Sequence, residues 1–315
     1  MPKTILELIQ DEVRGETVLN VPMSEHTTIQ VGGSADLLIY PADREDLSNL
    51  LALLAEREVP YFVLGNGSNL VVRDGGIRGA VIKLSGGFQE LELQEPAGSG
   101  PLIKVDAGVS LRTLVRWTVD HGIAGFAQLS GIPATVGGAI AMNAGAWGVA
   151  IGDRVEQLEV MGHDGKIRVI PREMLRFGYR SIDLPPDEII LRALLSGEEG
   201  APRDVKEQAK EYYRKRKESQ PVSDPSAGCV FRNPSGGQAG KMIDSCGLKG
   251  VRVGDAQISP VHANFIINVG SATAGHVVSL VGMIQERVFV KYRTKLSPEV
   301  RIIGEWEKGK LRIQE

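Results

Sequence analysis

The chain is poor in the residues that staple small proteins or hold metals: two cysteines and five histidines in 315 residues. One disulfide is therefore the ceiling, and no Cys/His group has the spacing of a metal site. Such sparse cysteine use fits a reducing compartment, where a cysteine is packing or chemistry, and the expected location is the cytoplasm. Excess basic charge is also missing. With 36 Lys and Arg against 39 Asp and Glu, the formal net charge is -3, which argues against a nucleic-acid partner. No apolar run approaches the ~20 residues of a membrane span. The opening MPKTILELIQDEVRGE is a short amphipathic segment with acidic residues, unlike the basic start and long apolar stretch of a secretion signal. Aromatic residues make up only 5%, but hydrophobic residues reach 42% and charged ones 24%, which is a globular balance. Neither internal repeats nor low-complexity segments occur. The length suffices for two or three domains with a core of their own.

Glycine is what the chain has in quantity. Its 38 glycines are unevenly spread and cluster in GNGSNL at Gly65 to Leu70, in RDGGIRG at Arg73 to Gly79, and in SGIPATVGGAIAMNAGAWG at Ser130 to Gly148, which together hold ten of them, and all three read as loops. Short β-branched runs lie between them: YFVL, GAVIKL and LIKVDAG. Two segments, Arg44 to Glu58 and Leu111 to His121, repeat their apolar residues at helical spacing. A charged helix over about Pro202 to Ser219 stops at the prolines of QPVSDPS and marks the best domain boundary. Beyond it come a small helix AGKMIDSCG capped by Gly247, strand-like GVRVG and HANFIINVG, an amphipathic helix from Thr273 to about Tyr292, and a final strand VRIIGEW. The fold class expected is α+β, with a lead-in over 1-26, a first domain over 27-199, a second over 200-306 and a tail over 307-315.

Several residues carry possible chemistry. In GNGSNL, two glycines and two asparagines let consecutive backbone N–H groups turn to one side and cradle a phosphate, although a tight strand-to-strand turn would use the same residues. The motif lacks the Lys-Ser/Thr of a P-loop and the third glycine of the dinucleotide fingerprint. The longer run of small residues, punctuated by Asn143, suits backbone lying close against a large flat ligand or a close-packed glycine-rich helix contact. Arg180 in RFGYRSI reads as a surface pair or as a fork for a carboxylate or phosphate. Glu299, after Pro298 and before an apolar strand, is expected to be half-buried, where a carboxyl can retain a proton. Cys229, between Gly228 and Val230, is accessible on one side and is better suited to deliver a proton than to act as a nucleophile or zinc ligand, since a thiol's ordinary pKa is about 8.5. Cys246, with Met242 and Ile243, reads as helix core.

Taken together and in order, GNGSNL, SGIPATVGGAIAMNAGAWG, YRS, SAGCVFRNP and LSPEV closely resemble the UDP-N-acetylenolpyruvoylglucosamine reductase family (MurB), from about Thr27 to Gly304. The resemblance implies a two-part FAD-binding domain of the vanillyl-alcohol oxidase type, followed by a smaller α+β substrate-binding domain. The family reduces UDP-N-acetylglucosamine enolpyruvate to UDP-N-acetylmuramate with NADPH, in peptidoglycan precursor synthesis. Its phosphate motif falls on Asn66, Gly67, Ser68, Asn69 and Leu70, and its second flavin loop on Gly131, Ile132, Pro133, Gly137 and Gly138, with Asn143 a further cofactor-binding candidate from its place among the small residues. Its catalytic arginine, proton donor and glutamate match Arg180, Cys229 and Glu299, with cysteine at a position that is serine in many relatives.

In that scheme a hydride reaches the β-carbon of the enolpyruvyl group, negative charge builds toward the carboxylate near Arg180 and Glu299, and Cys229 protonates the α-carbon. Arg214, Arg216 and Lys217 are candidates for the diphosphate or form a solvated basic face, while Asn233 and His262 are candidates for lining the substrate site. Ala134 stands where relatives often have glycine and Trp147 where tyrosine is common. The segment after Arg180, RSIDLPPDE, points to the shorter subtype. Two other readings keep the fold: an oxygen-using flavin oxidase, and a UDP-sugar binding protein without turnover. No metal is expected, the partner expected is a small nucleotide-sugar, and no oligomeric state is indicated.

Overall fold

The computed structural model describes residues 5–94 and 100–307. The expected tail beyond Glu307 and the first four residues of the lead-in lie outside this range. Strands and helices are mixed throughout, as expected for α+β. The described helices are α1 (Ile5–Glu12), α2 (Arg44–Glu56), α3 (Leu111–Asp120), α4 (Val136–Ala141), α5 (Pro202–Ser219), α6 (Ala239–Ser245) and α7 (Ala274–Tyr292). None of them is long and apolar enough to cross a membrane.

The chain forms two compact units that interleave along the sequence. Unit 1 comprises Met1–Leu19, Leu37–Asn66 and Gly79–Lys215, and unit 2 comprises Asn20–Asp36, Gly67–Arg78 and Arg216–Glu315. This differs from the consecutive division expected from the sequence. The cause is a parallel pairing of Leu70–Val72 with Arg301–Ile303, which gives an early segment to the C-terminal unit.

Unit 1 is built on a five-stranded antiparallel sheet in the order Ile167–Pro171, Val155–Met161, Ile189–Ser196, Leu102–Asp106, Leu91–Gln94. Tyr61–Leu64 also runs parallel to Ala80–Lys83. Helix α2 forms because Leu47, Leu50, Leu51 and Leu54 recur at helical spacing and are all buried, and because the Asp43 carboxylate accepts the N–H of Asp46 at its N-cap. The Ser110 hydroxyl does the same for α3. These leucines pack with Phe88, Phe126, Leu158 and Leu191 in one core cluster. Asp46 is buried among them, and its carboxylate accepts the backbone N–H groups of Arg14, Gly15 and Ala42 at 2.9 to 3.0 Å, which satisfies a group that would otherwise be costly to bury.

Unit 2 holds a four-stranded antiparallel sheet in the order Ser226–Cys229, Phe265–Asn268, Ala256–Ile258, Arg252–Val253. Helix α7 covers its own cluster with Val277, Leu280, Val281, Ile284 and Val288. The helix is anchored from outside by Asp74, whose two carboxylate oxygens accept the N–H groups of Ala274 and Gly275 at 2.8 and 3.0 Å. These are first-turn donors that no helical carbonyl can reach. Cys246 is the C-cap of α6 and half-buried, at the end of the helix and not inside it as expected; its thiol faces the Arg287 carbonyl at 3.8 Å. Replacing Asp74 with Ala is expected to lower the unfolding free energy by about 1.5–3 kcal/mol, the range for hydrogen bonds to a charged group. Urea denaturation followed by circular dichroism measures this, with m unchanged.

Candidate active site

The first half of GNGSNL belongs to unit 1, where two glycine-rich loops are fastened together. The exposed Asn66 donates from Nδ2 to the Pro133 carbonyl at 2.8 Å. A side chain at Gly65 would stand 2.8 Å from the Thr135 hydroxyl and would have to displace it from its cap on α4, while its contact with the Gly138 Cα at 3.6 Å would be ordinary. The expected loop SGIPATVGGAIAMNAGAWG is not loop throughout. Thr135 caps α4 by accepting the Gly138 N–H, and Gly137 lets the helix close on Ala107, whose Cβ would lie 2.7 Å from an added methyl. Low helix propensity hid this helix, which packing enforces. Gly131, at φ +77°, and Pro133 remain exposed beside Asn66. Together they offer backbone with no side chain in front of it, which fits a large planar cofactor carrying a diphosphate.

Past α4, Gly145–Ala146 pairs with Val149–Ala150 around a two-residue turn in which Trp147 has φ +51° and Gly148 φ +82°. The indole is 41% exposed and lies 5.1 Å from the Tyr212 ring of α5. A second two-residue hairpin, Phe177–Gly178 with Ser181–Ile182, carries Arg180 in its turn. Arg180 is half-buried, adopts φ +56° and donates from Nη1 to the Gly145 carbonyl at 3.3 Å. Arg214, on α5 in the same unit, is exposed.

Unit 2 holds Gly67 to Leu70, Cys229 and Glu299, and it brings them together through backbone pairing. Gly67 sits at φ +64°, where an added Cβ would stand 2.1 Å from the His26 carbonyl oxygen. The Asn69 amide donates to the Glu299 carbonyl at 3.1 Å, and the Asn69 carbonyl accepts from Arg301 N–H at 3.0 Å. Glu299 N–H in turn donates to the Val230 carbonyl at 2.7 Å, one residue past Cys229. The bulge between Ser226 and Cys229 has Gly228 at φ +75°, about 3.7 Å from the Ser68 carbonyl at its would-be Cβ. Cys229 and Glu299 are both half-buried, as expected for the glutamate.

Asn233 is exposed and spends its side-chain oxygen on the Ala239 N–H at the start of α6. His262 accepts the Asn264 N–H on Nδ1 at 3.2 Å and meets the Phe265 ring edge-on at 5.0 Å. Burial pushes its pKa below the ordinary value, with Lys249 acting in the same direction and its own backbone and Asp244 opposing. The neutral ring so favoured carries its proton on Nε2. Of the basic residues at the end of α5, Lys217 is exposed, whereas Arg216 is 7% exposed and donates to the Gln220 side chain at 3.1 Å. A solvated basic face therefore describes Lys217 and not Arg216. Among the described residues no group of three His, Cys, Asp or Glu can hold a metal. Thr135 and Tyr212 escaped the sequence reading; only the Thr-x-x-Gly start of α4 gave a readable sign of the first.

Comparison with known proteins assigns this arrangement to a class. A profile described as FAD binding domain matches residues 35–170, which makes the chain a flavoprotein of that domain class. A second profile, the C-terminal domain of UDP-N-acetylenolpyruvoylglucosamine reductase, matches residues 220–303. The chain is 46% identical over 297 residues to the UDP-N-acetylenolpyruvoylglucosamine reductase of Geobacter metallireducens, covering 94% of this chain and 97% of that one. With the enzyme of that name from Caldanaerobacter subterraneus it shares 41% over 305 residues, 95% and 99% of the two chains. The crystal structure of the reductase MurB from Thermus caldophilus superposes with a TM-score of 0.78 at 42% identity, covering 93% of this chain and 99% of that one. This chain belongs to the UDP-N-acetylenolpyruvoylglucosamine reductase family.

Two consequences are measurable. Gly67→Ala forces a Cβ against the His26 carbonyl in a left-handed conformation and is expected to cost about 2 kcal/mol or more, read by urea denaturation together with reduced flavin content after purification. For His262 the folded pKa lies below the unfolded value of about 6.5, so the unfolded chain takes up the proton first and stability falls as pH drops through that value. Above it, the histidine is neutral in both states and the effect is absent. His262→Gln is expected to flatten this part of the profile of Tm against pH; parallel profiles for the two proteins would contradict the assignment.

Proposed function

We propose that the chain reduces UDP-N-acetylglucosamine enolpyruvate to UDP-N-acetylmuramate, using NADPH and a resident FAD, in the cytoplasmic synthesis of peptidoglycan precursors for the cell wall. The observation that carries the assignment of roles is the pairing of Glu299 N–H with the Val230 carbonyl, which joins the segment of the proton donor to that of the acidic residue. Asn66, Gly67, Ser68, Asn69 and Leu70 would hold the diphosphate of FAD through backbone N–H groups, and Gly131, Ile132, Pro133, Gly137 and Gly138 would lie along it. When bound, FAD supplies the hydride that the substrate's β-carbon receives.

The remaining chemistry belongs to side chains. Arg180 binds the substrate's carboxylate, where negative charge accumulates as the double bond is reduced, and its fixed positive charge stabilises that build-up. Glu299 takes the part of the family's catalytic glutamate in this step. Cys229 gives its thiol proton to the α-carbon, which completes the saturated ether and leaves a thiolate that solvent reprotonates. A thiol is more acidic than a serine hydroxyl by several pKa units and needs less help to act as the donor. His262 and Asn233 border the substrate, and Arg214 and Lys217 attract its diphosphate.

Stopped-flow absorbance tests this reading. The yellow holoprotein is reduced anaerobically with NADPH and mixed with the enolpyruvyl substrate. Rapid return of the oxidised flavin band is expected, with the Cys229→Ala protein slowed by about 10²- to 10⁴-fold in product formation, the usual size of a general-acid contribution. A flavin reoxidised only by oxygen would move the assignment to an oxidase, and a protein that binds the UDP-sugar without turnover would reduce it to a binding protein.

A further inference from the structure

We propose that Asn143 is a positioning residue for Arg180, holding the hairpin that presents its guanidinium. This rests on the catalytic role assigned to Arg180 above. Asn143 ends α4: its N–H donates to the Ile140 carbonyl at 2.9 Å, and it takes a left-handed φ of +40°, a conformation asparagine tolerates better than other side-chain-bearing residues. Its side chain then spans two separate segments. Nδ2 donates to the Gly178 carbonyl at 2.9 Å, and Oδ1 accepts the Gly152 N–H at 3.1 Å.

Gly178 lies two residues before Arg180 in its hairpin, and Arg180 returns the contact by donating to Gly145, two residues after Asn143. The two bonds join the same pair of segments, each across 35 positions of sequence, so they close a ring: Asn143 to Gly145 along the chain, across to Arg180, back to Gly178, and across to Asn143. Gly152 completes the clamp, since a Cβ there would stand 2.6 Å from the Phe177 ring and 2.7 Å from Asn143 Oδ1. Both corners of the ring, Asn143 and Arg180, have left-handed backbones, which persist only where surrounding contacts over-determine them. The Asn143 amide is thereby committed on both its donor and its acceptor side to the protein's own backbone. Its contribution to a flavin would come from the main chain, and its side chain serves the arginine. A two-residue hairpin with no other strand beside it among the described residues would otherwise leave a long, flexible side chain poorly aimed, and a misplacement of about 1 Å can cost about 10²-fold in rate.

Asn143→Gly tests this, because glycine keeps the left-handed backbone and removes both side-chain bonds. Binding to the oxidised holoenzyme is followed by perturbation of the flavin spectrum with two probes: UDP-N-acetylmuramate, which carries the carboxylate, and UDP-N-acetylglucosamine, which lacks it. The variant is expected to weaken the carboxylate-bearing probe by roughly tenfold and kcat by roughly ten- to a hundredfold, with the second probe and the KM for NADPH unchanged. In an Arg180→Ala background, Asn143→Gly is expected to add no further loss of either. Equal weakening of both probes, or a loss that persists undiminished without Arg180, would overturn the positioning role while leaving the role of Arg180 intact. An Arg180→Ala protein that binds and turns over normally would instead overturn the assignment of Arg180, and this one with it. Should the glycine variant fail to fold, Asn143→Asp gives the same comparison, since aspartate keeps the acceptor for Gly152 and loses only the donor to Gly178.

Discussion

The parallel pairing of Leu70–Val72 with Arg301–Ile303 is the constraint on which the C-terminal unit depends. Through it the Asn69 carbonyl meets Arg301, the Asn69 side chain meets Glu299, and Glu299 meets Val230 beside Cys229, the Asn69–Glu299 contact spanning 230 positions of sequence. A slip of one residue would turn every side chain of the strand to the opposite face, and Glu299 would leave its place next to the cysteine segment. Closing a loop of that size costs about 5 kcal/mol in chain entropy. The buried Ile29, Val31, Val71 and Val300, packed with the α7 residues, offset it. The same short strand therefore sets Gly67 to Leu70 and Cys229, the proposed phosphate motif and proton donor, in one register.

Unit 1 fixes its geometry in another way, with polar groups that are buried and satisfied. Asp106, 1% exposed, accepts the Glu90 N–H and the Arg192 guanidinium, while Arg44 pairs with Glu159 on the strand beside that of Arg192. On this frame Asn143, Trp147 and Arg180 take left-handed backbone, as does Glu58 after α2, while Asn20, Gln30 and Arg293 do so in the other unit. Asparagine accepts that conformation readily, whereas tryptophan and arginine do so at a cost of order 1–3 kcal/mol each. A sequence selected for stability alone would place glycine or asparagine at positions 147 and 180. Arg180 is the one of these to which the proposed chemistry assigns a role, and its strain is held in place by the bonds around its hairpin.

Much of this was legible in the residues. The periodic leucines of α2, the helically spaced apolar residues of α3, and the prolines after α5 gave those helices to within two residues, because burial and local propensity agree there. Helix α4 was not legible: Val136–Ala141 contains two glycines, and only the close approach to Ala107 and Gly65 makes it a helix. The interleaving of the two units also left no local trace, since nothing in Leu70–Val72 announces a partner near the C-terminus. Arg216 looked like one of three equivalent cations at the end of α5, but helical rotation turns it inward while Arg214 and Lys217 face outward. Asn143 was readable as a polar residue among small ones. That its amide reaches Gly178 depends on a hairpin whose position no spacing rule reports.

The early segment that completes the C-terminal unit has a consequence for biosynthesis. Strand Leu70–Val72 leaves the ribosome long before Arg301–Ile303, and at about 5–20 residues per second it waits some tens of seconds or less, as a Leu-Val-Val edge with its backbone N–H and C=O groups open. The segments of unit 1, by contrast, have all been made once Lys215 is out. Vectorial synthesis thus favours early formation of the flavin-domain core and leaves an apolar strand exposed during the final third of translation. During that interval this strand is open to chaperone capture or mispairing.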